Sequence, residues 1–262
     1  NIEILPPDIN KSYTDFSPEN SKAIRFGLLA IKNIGANIVS VIIEERGRGG
    51  PFENLADFLN RINHRDLNKK SLESLIKSGC FDSFGVERQT ALGNIEELLK
   101  FNSLSKKNKF NNQHSLFNYQ PKLTSLKLNP TEPADAKTKL AWEKELLGLY
   151  VSDHPLKKYL PQLKDSRVQP IKDILNSGPK DRARLKVAGV ISNVQKILTK
   201  MGQPMLFVKI EDLTDNLEVI VFSETLSKNP YLWKENNIIM INGQLSLRNG
   251  EPKLICNEVK EL

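Results

Sequence analysis

The stretch "LLAIKNIGANIVSVI", residues 28–42, reads as two apolar runs broken at Lys32-Asn33-Ile34-Gly35. A tight glycine-containing turn between helical runs is the pattern of a helix-hairpin-helix, in which backbone N–H groups at a helix N-terminus point outward and can take a phosphate oxygen. In this reading Gly35 can adopt a positive φ freely, and Asn33 is the residue next best suited to a left-handed position. Ile34 plugs between the helices and Lys32 sets a cation at the rim. Such a site would hold duplex backbone without reading bases, so its affinity would fall steeply with salt. The competing reading is an ordinary packing corner, since many helical hairpins carry glycine at the turn.

Around this turn the pattern is helical. "SKAIRFGLLAIKNIG" (21–35) carries Ile24, Leu28 and Ile31 at helical spacing, and "ANIVSVIIEER" (36–46) continues the period past Gly35. "GRGGPF" (47–52) is rich in breakers and lacks the Lys-Ser/Thr ending of a P-loop, so Arg46 and Arg48 read as part of a mobile basic loop. "NLADFLNRI", "NKKSLESLIKSG" and "RQTALGNIEELLK" follow, each of helix length. The second of these opens on Asn68-Lys69-Lys70 and closes on Gly79 without a glycine turn, which makes it the structural partner of the first hairpin. Lys69 and Lys70 are candidate DNA contacts there, with a solvated helix face as the alternative. Residues 21–100 therefore read as an all-α block with short turns, behind an extended lead-in over residues 1–20.

From Arg184 the period changes to two. "RLKVAGVISNVQKI", "MLFVKIEDLT", "NLEVIVFSE", "IIMINGQLSLRNG" and "EPKLICNEVKEL" alternate or run apolar between turn signals, among them the hairpin marker Asn249-Gly250. A helical insert, "SETLSKNPYLWKENN", separates the third run from the fourth. Five strands with a helix in that place is the chain order of an OB-fold barrel, assigned to residues 183–262. The fold class is α+β and multidomain: the helical domain, a polar linker over 101–135, a helical connector over 136–182, then the barrel. A barrel of this kind offers a groove for single strands. Lys196, Lys200 and Arg248 fall near its predicted loops, while Phe207 and Phe222 read as core filling because the region is near neutral and poor in aromatics.

The chain has 262 residues, a formal charge of +7 and a pI near 9.2, which favours a polyanionic partner. Its apolar runs fall well short of the roughly 20 residues that span a bilayer, and no signal peptide opens it, so no membrane partner and a cytoplasmic location are expected. Cys80 and Cys256 read as reduced, buried thiols. The first residue is Asn1 rather than Met, and the chain reads as cut from something longer. Between Glu97 and Glu132 there is no acidic residue but there are several lysines, a composition that stays solvated. Within that stretch "QHSLF" sets Leu116-Phe117 side by side with Gln113 three residues before the leucine, and Ser115 between. Two adjacent apolar anchors in a coreless linker suit a pocket on a partner protein; chance is the alternative for so short a motif.

No catalytic set emerges. "EDLTD" groups Glu211, Asp212 and Asp215 where a strand-to-strand turn favours acids, and His64, His114 and His154 lack metal-ligand spacing. Neither a cofactor nor a metal site is expected in this chain.

Several phrases together are similar to a known family. "ILPPDINKS", "IRFGLLAIKNIG", "GPFENLADFLNRI", "NKKSLESLIKSGCFDSFG", "WEKELLGLYVSDHPL" and "TKMGQPMLFVKIEDLTDNLEVIVF" resemble, in order, the alpha subunits of bacterial DNA polymerase III, the C-family replicative polymerases. The resemblance implies that residues 21–100 are a tandem helix-hairpin-helix domain that grips duplex DNA leaving the polymerase, and that the OB domain faces the single-stranded template. It also implies that Gln113-His114-Ser115-Leu116-Phe117 is the internal motif for the beta sliding clamp, and that the rest of the polymerase III holoenzyme is a partner. The polymerising carboxylates, with their Mg²⁺, would lie in a palm domain outside this chain, leaving it inactive as a nucleotidyltransferase alone. Two alternatives remain: a stand-alone adaptor for DNA and clamp, and a repair protein combining OB and hairpin folds.

Overall fold

A computed structural model describes residues 2–110, 126–178, 180–199, 201–247 and 251–262. They fall into two units, Asn1–Asp153 and His154–Leu262. The division lies inside the segment assigned to a helical connector, whose first helix is part of the first unit.

The first unit begins with a small sheet of strands β1 (Glu3–Leu5), β2 (Ser17–Asn20) and β3 (Ala23–Arg25), in the order β1-β3-β2 with β1 parallel to β3. The helix expected over residues 21–35 is absent: β3 is followed by a 3-10 turn at Leu28–Ala30. Hydrogen-bond accounting explains the difference. Phe26, Leu28 and Leu29 donate their N–H groups to Leu5, Tyr13 and Thr14 at 3.0, 2.8 and 3.0 Å, leaving none for an i−4 ladder. Gly27 permits this, because a Cβ there would lie 2.5 Å from the Asp15 carbonyl carbon. The apolar spacing is real, but it serves a chain laid against another chain.

Helices α1 (Ala36–Gly49), α2 (Leu55–Arg61), α3 (Lys69–Lys77), α4 (Arg88–Gly93), α5 (Ile95–Phe110) and α6 (Ala136–Leu147) complete the unit. Ile38, Val39 and Ile42 put one face of α1 into a core shared with Phe52, Phe58 and Phe81, whose rings meet edge to face at 5.2 and 5.0 Å. Arg46 and Arg48 lie in the last turn of α1 rather than in a mobile loop. Arg46 donates to the carbonyls of Ile9 and Ser12 at 2.9 and 3.0 Å, so its cation fastens the lead-in to the helix.

A buried ion cluster fixes α6. The Arg88 guanidinium donates to Asp82 at 2.6 Å and to Glu143 at 3.2 Å, while the other Glu143 oxygen accepts from the N–H groups of Val151 and Ser152. Burial works against the Arg88 charge, yet its hydrogen bonds to the two carboxylates outweigh that and hold its pKa above the usual value.

The second unit carries α7 (Leu160–Asp165) and α8 (Ile171–Asn176), then strands β4 (Arg184–Leu198), β5 (Pro204–Glu211), β6 (Asn216–Val221), β7 (Ile238–Ser246) and β8 (Lys253–Glu261), with α9 (Ser223–Lys228) between β6 and β7. The strands close a barrel in the order β4-β5-β6-β8-β7, with β6 and β8 parallel. That is the expected OB fold. Alternate residues fill it: Leu206, Val208 and Ile210 from β5 meet Leu217, Val219 and Val221 from β6, with Ile171 and Ile174 of α8 in the same core. The helical insert is shorter than expected, since α9 ends at Lys228.

Candidate nucleic-acid interface

The turn before α1 is built to leave a helix end bare. Asn33, not Gly35, takes the left-handed conformation, with φ at 68°. Its side-chain amide donates to Ser74 Oγ of α3 at 3.2 Å, which fixes the turn against a second helix. Lys32 donates its N–H to the Leu146 carbonyl of α6 at 3.0 Å and leaves its ammonium exposed. Ile34 is buried in the core. Gly35 then serves as the N-cap in an extended conformation, φ −95° and ψ 159°, and the positive φ open to it is not used. Extended backbone is open to any residue; what glycine provides is the missing side chain. A Cβ at Gly35 would meet nothing within 4 Å, and the N–H groups opening α1 receive no side-chain cap. By contrast α2, α3, α4 and α6 are capped by Asn54, Asn68, Glu87 and Asp135. A bare helix end with its partial positive charge and an exposed lysine beside it has the chemistry of an anion site.

Lys69 and Lys70 open α3 nearby, as the Asn33–Ser74 bond requires and as Asn37, 3.4 Å from Asp66, also shows. Their helix end is closed by its own side chains. Asn68 accepts from the Ser71 N–H at 3.1 Å while the Asn68 N–H donates to Ser71 Oγ at 2.9 Å. Lys69 is paired with Glu96 at 2.6 Å, a hydrogen bond that raises its pKa, and Lys70 is exposed.

In the barrel, Lys196 is exposed on β4. Lys200 and Arg248 lie outside the described residues, as do Gln113, Ser115, Leu116 and Phe117 and the Asn249-Gly250 marker. The two phenylalanines correct the core-filling expectation: Phe207 is half-buried, Phe222 is 45 % exposed, and neither belongs to the barrel core. Register sets Gln195, Phe207, Ile220 and Ile255 side by side across four strands. Lys253 stands 5.5 Å from the Phe207 ring and pairs with Glu218. The β4–β5 turn is tied to the start of α9, where Ser223 Oγ donates to the Gln203 side chain at 3.1 Å, next to Phe222. This face offers apolar platforms with a cation at hand, the makings of base stacking. The signal was present in the sequence, because outward Lys209 two residues along β5 puts Phe207 on the same side.

Neither cysteine is poised for chemistry: burial pushes both thiols up to about 12. Asp212 serves a turn, accepting from the N–H groups of Thr214 and Asp215 at 2.7 and 2.9 Å and from that of Ile171 in α8 at 2.7 Å. Among the described residues no group of three acidic, histidine or cysteine side chains could hold a metal. None of their helices is long and apolar enough to cross a membrane.

A family model described as a helix-hairpin-helix motif matches residues 1–91, and one described as an OB-fold nucleic acid binding domain matches residues 185–262. The DNA polymerase III alpha subunit of Borreliella burgdorferi is 33 % identical over 98 % of this chain and 23 % of its own length. Those of Mycobacterium leprae and Bacillus subtilis are 34 % and 33 % identical over 98 % and 100 % of this chain, and 22 % and 23 % of theirs. The chain thus spans under a quarter of the length of these curated relatives. Among solved structures, the mitochondrial single-stranded DNA binding protein Rim1 of S. cerevisiae aligns with a TM-score of 0.27 and 15 % identity over 32 % of this chain and 97 % of its own, too slight a likeness to carry an argument.

Proposed function

Since this chain is a homologue of one section of the DNA polymerase III alpha subunits, carrying a helix-hairpin-helix and an OB-fold, we propose that it positions a replicative polymerase on primer-template DNA. The observation that carries the reading is the uncapped N-terminus of α1 at Gly35, with Lys32 exposed beside it. A duplex phosphate seated there accepts the free N–H groups and takes a further contact from Lys32. Lys70, and Lys69 when it exchanges Glu96 for a phosphate, extend the same basic rim. The barrel takes the single-stranded template, with bases on Phe207 and Phe222 and phosphates near Lys196, Lys200 and Arg248.

Gln113, Ser115, Leu116 and Phe117 are the anchor for a beta sliding clamp, and their benefit is tethering: a ring on DNA raises the effective concentration of the polymerase at its primer end. Nucleotide transfer, with its Mg²⁺, belongs to a palm domain elsewhere in the cytoplasmic holoenzyme, and processivity is the contribution of this chain.

The test has two arms. Titration of the 262-residue chain with duplex and single-stranded oligonucleotides over a salt series should give affinities falling linearly in log–log form, with a slope of about −0.9 per duplex phosphate held. Calorimetry with a sliding clamp should show binding that the Leu116→Ala/Phe117→Ala variant abolishes. No DNA binding at low salt overturns the reading; clamp binding that survives the double variant overturns its anchor.

A further inference from the structure

The second unit holds a cavity of about 920 Å³ that the reading above leaves unused. It is lined by Arg167, Arg184, Lys186, Lys228 and Lys260, against the single carboxylate of Glu258. Among the described residues, Arg167, Arg184, Lys186 and Lys260 make no ion pair, whereas Lys228 is held by Glu224 at 2.9 Å and Glu258 is engaged by the Asn242 amide at 3.1 Å. The barrel sequence as a whole is near neutral. Gathering unpaired cations in one concavity raises a potential that repels its own members and draws an anion.

Its place on the barrel separates it from the stacking face. Arg184 and Lys186 stand on the half of β4 that pairs with β7, while Phe207 stands opposite Gln195, on the half that pairs with β5. The wall also includes Gly243, where the β7–β8 register shifts between Asn242 and Gly243. A Cβ at Gly243 would lie 2.5 Å from the Ile255 carbonyl oxygen, so this irregularity requires glycine. The remaining polar lining is of amides and hydroxyls such as Gln169, Asn257 and Thr225, and no aromatic ring is among it. Cations and neutral hydrogen-bonding groups without a stacking platform suit phosphodiester and sugar, not bases.

We propose that this groove binds the phosphodiester backbone of single-stranded DNA irrespective of base, giving the barrel a phosphate track beside its aromatic face. The proposal rests on the single-strand reading of the barrel. It is tested by fluorescence anisotropy of the 262-residue chain with an ordinary oligonucleotide and with an abasic one of equal length, which keeps phosphates and lacks bases. The variants are Arg184→Glu/Lys260→Glu, the milder Arg184→Gln/Lys260→Gln, and Phe207→Ala/Phe222→Ala, each checked for an unchanged melting transition.

Both charge variants should weaken binding to both oligonucleotides, roughly tenfold for the reversal, and flatten the salt slope by about 0.7 for each phosphate the groove no longer holds. The phenylalanine variant should weaken only the ordinary oligonucleotide. Charge variants that bind both like the parent, while the phenylalanine variant fails, overturn the groove and leave the single-strand reading intact. A parent chain that binds neither overturns both. Displacement of the abasic strand by polyglutamate at equal charge concentration would make the groove a site for acidic protein and overturn its assignment to DNA.

Discussion

Two helix ends that lie near each other in the first unit, α1 at Gly35 and α3 at Asn68, start from the same problem and solve it in opposite ways. Each helix leaves its first N–H groups without intrahelical partners. At α3 the capping box of Asn68 and Ser71 supplies them from within. At α1 glycine supplies nothing, and the space in front stays open. The difference teaches that a binding end can be recognised by a cap withheld where its neighbours have one. It also teaches that α1 depends on others for its position: its turn is held by Ser74 of α3 and by Leu146 of α6, whereas the end of α3 closes on itself.

The largest effect should come from removing that outside support. Glu143→Ala leaves the buried Arg88 with Asp82 as its one carboxylate partner beside the Lys77 carbonyl, and deprives the Val151 and Ser152 N–H groups of their acceptor. Breaking a buried pair from one side costs about 3–5 kcal/mol, read here from the urea transition of the first unit. Hydrogen exchange should speed up at residues 33–38 more than at 68–72. Equal acceleration at both ends would break the comparison, since it would show that α6 holds them alike.

Next comes a substitution that turns one end into the other. Gly35→Asp places a capping carboxylate on α1, where no atom obstructs the new Cβ. Helix stability should rise by about a few tenths of a kcal/mol, because glycine is itself a fair N-cap. Duplex affinity should fall roughly tenfold or more, since the carboxylate occupies the donors and repels phosphate. Unchanged affinity by anisotropy would place the duplex contact elsewhere.

How much of this was legible in the sequence varies by region, for physical reasons. The barrel announced itself through alternation and a helix in the right gap, because a closed sheet enforces period two along each strand. The Lys32–Gly35 turn was visible too, and so was the fitness of Asn33 for the left-handed position, but not that Gly35 is needed for its bareness. Glycine marks a position without saying which of its freedoms is used. Residues 21–31 misled because Ile24, Leu28 and Ile31 repeat at helical spacing while the N–H groups of Phe26, Leu28 and Leu29 find their partners in the lead-in chain, a contact local pattern cannot contain. The basic groove was illegible for the same reason: Arg167, Arg184 and Lys260 are far apart in sequence and meet only when the barrel closes.

The reverse operation on α3 should have a smaller effect and only on stability. Asn68→Ala removes one half of the capping box, at a cost of about 1 kcal/mol in the thermal transition of the first unit. Duplex affinity should stay as it was, because those N–H groups serve the fold. A loss of affinity matching that of Gly35→Asp would mean that both ends touch DNA, and the contrast between them would vanish.

The finest adjustment lies in the turn itself. Asn33→Gly relieves the left-handed strain of a residue bearing a Cβ, worth about 1 kcal/mol, but deletes the hydrogen bond to Ser74, worth about the same. The two should cancel to within about 0.5 kcal/mol in chemical denaturation. Asn33→Ala keeps the strain and also removes the bond, so it should be the worse of the pair by about 1 kcal/mol. Should the two variants prove equally stable, the left-handed conformation carries no strain, and asparagine stands at this position for its bond to α3 alone.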